Sequence, residues 1–167
     1  MLNKTIVFLS TSGPGACYTV NLFKEKSMAN SIYQEILLDH NKYPSHKHEL
    51  ENPDLTLRGV NPSCGDDIVL NLKVTDGVIT DGAFTGQGCA ISQASADIML
   101  DLVIGETTEE AMRLCGLFYK MIRGTATEEE IEDLDEAGCL EDISHMPARV
   151  KCALLGWRTI REMMGED

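Results

Sequence analysis

At 167 residues the chain has the length of one domain, and 43% hydrophobic against 25% charged residues is the ordinary balance of a globular protein with its own core. The formal net charge of −13 at pH 7 is not ordinary: residues 1–27 carry three lysines against one glutamate, a net +2, so the remainder carries −15. Such a surface repels phosphate backbones and holds no basic stripe, which argues against nucleic-acid binding, and no apolar run approaches the length of a membrane span.

Residues 1–27 differ from the rest of the chain. They are basic and interrupted by Gly13-Pro14-Gly15, and the apolar stretch Thr5-Ile6-Val7-Phe8-Leu9 is too short for a secretory signal. Pro14, three residues before Cys17, suits a lipoprotein cleavage site poorly. A poorly ordered leader over 1–27 and a folded domain over 28–167 are the expectation. The protein is expected to be cytoplasmic, where thiols stay reduced and clustered cysteines bind metal or do chemistry.

A first amphipathic helix is predicted from residue 31 to about 40, with Ile32, Ile36 and Leu37 on one face. The polar stretch 43–52 reads as a loop. Strands come next: one around 55–60, then Ile68, Leu70, Leu72 and Val74 alternating with their neighbours, the period-two pattern of a half-buried strand. Asp76-Gly77 fits a two-residue hairpin turn, with a return strand over 78–84.

Beyond Cys89 the period becomes helical, with Ile91, Ala94, Ile98, Met99 and Leu102 on one side and Gly105 as the stop. Thr107-Thr108-Glu109-Glu110 predicts a capping box for a helix burying Ala111, Leu114, Phe118 and Met121. Thr127-Glu128-Glu129-Glu130 repeats that signal for a short acidic helix. Residues 144–147 read as a loop. A last helix is predicted from about Ala148, with Val150, Ala153, Leu154, Trp157 and Ile160 inward. Strands first and helices after give an α+β fold: a small antiparallel sheet of about three strands with helices on one face.

Six cysteines are spread along this frame, and three stand at element boundaries. Cys64, in Cys64-Gly65-Asp66, shares a glycine turn with a carboxylate, so both side chains can face one point. Cys89 comes after Gly86 and Gly88 and precedes a helix, where the backbone amides favour a thiolate. Cys152 is expected in the first turn of the last helix, with the same electrostatic support. Three sulfurs and one carboxylate make a tetrahedral zinc set, and the same thiolates suit an iron–sulfur cluster. Cys115 reads as a buried thiol and Cys139 as a residue of an acidic loop. His40, His46 and His48 offer a looser metal set in a polar context, and His145 is a reserve ligand near Cys152.

At these residues the chain resembles the iron–sulfur assembly scaffold family of IscU/NifU-like proteins, and most closely its SufU branch. The resemblance covers roughly residues 31–164. It rests on the His40 region, on Asn61-Pro62-Ser63-Cys64-Gly65-Asp66, on 84–99, and on Pro147-Ala148-Arg149-Val150-Lys151-Cys152 and its continuation to Trp157. Lys151, where the housekeeping scaffolds have histidine, and the long acidic segment 107–143 are similar to the SufU type. The stretch Asp39-His40-Asn41-Lys42-Tyr43-Pro44-Ser45-His46 departs from the family pattern by exchanging tyrosine and asparagine and losing an arginine.

The resemblance implies an IscU/SufE-like fold and a zinc-dependent sulfurtransferase. Such a protein accepts persulfide sulfur from a pyridoxal-phosphate cysteine desulfurase of the SufS type and passes it toward downstream iron–sulfur assembly proteins. It implies Cys64, Asp66, Cys89 and Cys152 as zinc ligands, Cys64 as sulfur acceptor and Arg149 as a helper at the desulfurase interface. The alternative it implies is a scaffold on which a transient iron–sulfur cluster forms.

Overall fold

The computed structural model describes residues 33–165. The predicted leader over 1–27 and Ile32 of the first helix lie outside them. Residues 33–42 are helical (α1), with Ile36 and Leu37 packed against the core, and 43–54 contain no regular helix or strand.

Three strands come next: β1 (Leu55–Asn61), β2 (Asp66–Thr75) and β3 (Val78–Gln87), antiparallel in the order β1-β2-β3. The β1–β2 ladder runs from Leu55 opposite Leu72 to Asn61 opposite Asp66. The β2–β3 turn is the predicted one. Asp76 and Gly77 both have positive φ, 52° and 78°, the backbone of a tight hairpin turn whose twist matches the strands it joins.

Ile68, Leu70 and Leu72 are fully buried, as the period-two pattern requires. Against that face pack α2 (Ala90–Val103) and α6 (Leu155–Met163). Contact is close enough that a methyl group on Gly59 of β1 would overlap Thr159 of α6. The remaining helices are α3 (Thr108–Ile122), α4 (Glu128–Glu132) and α5 (Pro147–Ala153), with a 3-10 segment over Asp135–His145. In the core Phe118 and Trp157 stack at 3.9 Å, and the indole N–H donates to Ser95 Oγ at 3.0 Å, so the large ring is buried without an orphaned donor. Among the described residues no helix is long and apolar enough to cross a membrane.

The α4 capping box forms in both directions. That of α3 forms only halfway: Thr107 Oγ1 accepts from the Glu110 N–H at 3.1 Å, but the Glu110 carboxylate turns to Arg113, whose guanidinium offers two donors where the Thr107 amide offers one. Residues 144–147 are not a loop either. Ser144 and His145 end the 3-10 segment and Pro147 opens α5, leaving Met146 alone between them.

The predicted last helix is two helices, because the chain breaks at Leu154. Gly156 just beyond the break presses onto Ala96 of α2, where a methyl group would lie 3.3 Å from the Ala96 Cα, an approach that a larger residue there would not make. Cys152 is therefore the next-to-last residue of α5, not a first-turn residue. The electrostatic help expected for it from a helix N-terminus is absent.

Candidate metal centre

The site is built where the β1–β2 hairpin, the β3–α2 junction and the end of α5 meet. Pro62-Ser63-Cys64-Gly65 is the hairpin loop. Cys64 N–H bonds back to the Asn61 carbonyl at 3.2 Å, and Gly65 completes the turn at φ +72°, a conformation that only glycine adopts at low cost. This lifts Cys64 out as an exposed thiol and returns the chain into β2 with Asp66 fully buried.

Asp66 organises the site. Its Oδ1 accepts from the Cys89 N–H at 2.7 Å and from Ser92 Oγ at 3.1 Å, and its Oδ2 accepts from Asn61 Nδ2 at 2.9 Å. Burial pushes the carboxyl upward, but hydrogen bonds from Cys89, Asn61, Cys152 and Ser92 outweigh it and hold Asp66 below the usual carboxylate range. The carboxylate is thus kept as an anion in the interior.

Cys89 is the N-cap of α2, and its sulfur accepts the Ser92 N–H at 3.4 Å. Gly88 lets this corner close: a methyl group there would overlap Ser92 Oγ and lie 3.2 Å from Asp66 Oδ1. Cys152, fully buried at the end of α5, places its sulfur 3.0 Å from that of Cys64 and receives Asn61 Nδ2 at 3.3 Å. Burial, then hydrogen bonds to Cys64, Asp66 and Cys89, push the Cys152 thiol well above its ordinary range.

Donor atoms of Cys64, Asp66 and Cys152 lie within 4.8 Å of one another. Cys89 stands just outside that trio, touching Cys152 through its thiol and Asp66 through its backbone. Around a tetrahedral zinc with bonds of about 2.3 Å, two sulfurs sit about 3.7 Å apart, so the cysteine pair opens by less than an ångström to admit the ion. The donor chemistry fits zinc: soft sulfurs and one anionic oxygen, with the α2 N-terminus favouring the thiolate form of Cys89.

The other candidates fall elsewhere. Arg149 is exposed on α5, one turn before Cys152, and Lys151 is exposed beside it. His145 is exposed and paired with Ser144 Oγ at 3.1 Å, outside the metal-capable group. Cys115 and Cys139 are buried in the core, and Cys139 lies in the 3-10 segment rather than in a loop. Its thiol is pushed up to about 12 by burial and by Glu136.

Of the three early histidines, His40 and His46 converge on Asp97 and Asp101, away from the cysteines, and His48 does not join them. His40 Nδ1 donates to the buried Asp97 at 2.8 Å and its Nε2 to Glu136 at 3.1 Å, while His46 Nε2 donates to Asp101 at 2.8 Å. His48 turns away to the Glu49 carbonyl. Asp97 also accepts the Ser45 and His46 backbone N–H groups, so this cluster fastens α1 and its loop to α2. Asn61 and Ser92, which carry no signal of their own as ligands in the sequence, are the missed site residues. The one available clue was that Asn61 and Asp66 flank a four-residue turn, which sets them opposite each other across a hairpin.

With this geometry in place, the similarities are specific. The model of the NifU-like N-terminal domain matches residues 32–164. The Thermotoga maritima protein named iron–sulfur cluster assembly scaffold protein IscU is 42% identical over 133 residues, 80% of this chain and 92% of that protein. The Bacillus subtilis protein named zinc-dependent sulfurtransferase SufU is 33% identical over 138 residues, 83% of this chain and 92% of that one. A crystal structure of the protein called FiSufU from Fervidobacterium islandicum AW-1 superposes with a TM-score of 0.75 at 34% identity, covering 81% of this chain and 98% of that chain.

Proposed function

The chain belongs to the NifU-like N-terminal domain family, and from that premise we propose that it accepts sulfur for iron–sulfur cluster assembly at a zinc centre formed by Cys64, Asp66, Cys89 and Cys152. The observation that carries this reading is the pair Cys64–Cys152. One sulfur is exposed on a glycine-containing hairpin loop, and the other is buried 3.0 Å away beside an ionised carboxylate. A purely structural zinc site has no need of an exposed ligand on a turn that can move independently of the core. The SufU relative's name supports zinc as the metal.

Zinc, when bound, supplies a redox-inert positive centre that keeps thiolates deprotonated and shielded from oxidation. The chain's own residues do the rest. Cys89 and Cys152 are fixed by α2 and α5, and Asp66 is fixed by its hydrogen bonds, so Cys64 is the ligand that moves at least cost. As a released thiolate, Cys64 attacks the outer sulfur of a persulfide carried by a cysteine desulfurase, a pyridoxal-phosphate enzyme of the SufS type in this reading. The new Cys64–sulfur bond replaces the sulfur–sulfur bond on the donor, whose cysteine leaves as a thiolate. No electrons are gained or lost overall. Arg149, exposed one turn before Cys152, is positioned to meet an acidic group of that donor.

A second reading, a scaffold on which a transient iron–sulfur cluster is built before transfer to downstream proteins, is favoured by the name of the 42% identical relative. Metal analysis of the full chain purified in air separates the two. About one zinc per chain with no visible absorbance supports the carrier, whereas iron with inorganic sulfide and a brown colour supports the scaffold. The absence of any metal counts against both.

A further inference from the structure

We infer that Cys152 is the resolving thiol for sulfur held on Cys64, turning the metal-free chain into a sulfide-releasing agent. The inference rests on the reading of Cys64 as the sulfur acceptor and extends it to the fate of the sulfur. The two sulfurs are 3.0 Å apart, inside the sum of their contact radii, with Cys152 on the buried side and Cys64 on the solvent side. Cys64 opens to solvent, so an added sulfur extends outward, and Cys152 on the buried side is the thiol within reach of the inner sulfur of the persulfide. Cys89 is not within the mutual 4.8 Å group and is pinned as the cap of α2.

The step balances. The Cys152 sulfur forms a bond to the Cys64 sulfur, and the bond from Cys64 to its outer sulfur breaks. The outer sulfur departs as hydrosulfide, carrying the proton of the Cys152 thiol, which already points at the Cys64 sulfur. Cys152 is oxidised from thiol to disulfide, the outer sulfur is reduced to sulfide, and Cys64 remains at the disulfide level throughout. No outside reductant enters until the Cys64–Cys152 disulfide is reset by a dithiol. Well-aligned groups held in place act at effective molarities on the order of 10⁵ M or more, so the neighbouring thiol outruns dissolved thiols. Engagement of Cys152 as a ligand withholds it, and the sulfur then stays on Cys64 for transfer. Metal occupancy thus selects between handing sulfur on and releasing it as sulfide.

The test uses the full chain stripped of metal by a chelator under argon, loaded with a small excess of inorganic tetrasulfide and desalted. Released sulfide is assayed, and peptides are mapped by mass spectrometry without reduction. The expected result is about one sulfide per loaded chain together with a Cys64–Cys152 cross-linked peptide. Zinc added before loading should suppress release at least tenfold. In Cys152→Ser, or in Cys152→Ala if the serine does not fold, the added sulfur should persist on Cys64 at least tenfold longer. A persulfide that persists on Cys64 of the unmutated metal-free chain, or a disulfide joining Cys64 to Cys89, overturns the inference while leaving the carrier reading standing. Finding no added sulfur on Cys64 of Cys152→Ser, with neither released sulfide nor the cross-linked peptide from the unmutated chain, overturns both.

Discussion

Asn61 and Asp66 face each other on the last rung of the β1–β2 ladder, and Asn61 Nδ2 donates both to the Asp66 carboxylate at 2.9 Å and to the Cys152 sulfur at 3.3 Å. One amide thus orients two candidate ligands from different ends of the sequence. Asn61→Ala should weaken zinc binding about 10- to 100-fold, the usual effect of losing a partner that orients ligands. It should also destabilise the metal-free fold by about 1–3 kcal/mol, because Asp66 loses a buried donor. Chelator competition and urea melting read the two effects separately.

Gly88→Ala should act on the same carboxylate from the opposite side. The new methyl group overlaps Ser92 Oγ and forces that hydroxyl off Asp66. A loss of about 1–3 kcal/mol in thermal or urea melting, with looser zinc, is the expected outcome. Unchanged melting would mean that the corner is slacker than the packing indicates.

Stability should also fall toward alkaline pH through His40. Burial lowers its pKa, but Asp97, Glu136 and Asp101 together outweigh this and raise it above 6.5. A histidine raised in the folded state contributes stability that is fully present below its unfolded value and is lost as pH rises through the folded one. The urea midpoint should therefore decline above about pH 6.5, and His40→Gln should flatten that decline. An identical slope in the variant would assign it to other groups.

Thiol reactivity should separate the cysteines by position. In the metal-free native chain Cys64 should take up iodoacetamide first, because it is exposed, while Cys139, buried and pushed up to about 12, should react only after unfolding. Zinc should protect Cys64. Peptide mapping of a timed alkylation reads the order directly.

Local signals made most of the frame legible. Asp76-Gly77 announced the β2–β3 hairpin, alternation located β2, and Thr127 to Glu130 announced α4. The errors arose where tertiary contacts decide. Val150, Ala153, Leu154, Trp157 and Ile160 keep an unbroken helical period, so nothing local reveals the break at Leu154, which goes with Gly156 packing on Ala96. That break puts Cys152 at a helix end, and the start of α5 at Pro147 already sets it beyond the first turn, where the expected dipole support is lost. In the 3-10 segment Asp135–His145 the buried Ala137, Leu140 and Ile143 recur every third residue, a spacing that matches neither the α-helical nor the strand period. Asn61 and Ser92 are ordinary polar residues in sequence, and only the convergence of hairpin and helix on Asp66 makes them part of the site.

The central claim is that sulfur enters at Cys64, and mass spectrometric mapping of the zinc-loaded full chain after incubation with a cysteine desulfurase and free cysteine tests it most directly. The expected result is one added sulfur on the Cys64 peptide, with none on those of Cys115 or Cys139, and loss of that signal in Cys64→Ser while the chain remains folded. Sulfur found on Cys139 or Cys115, with the Cys64→Ser chain still stimulating the desulfurase, would contradict it.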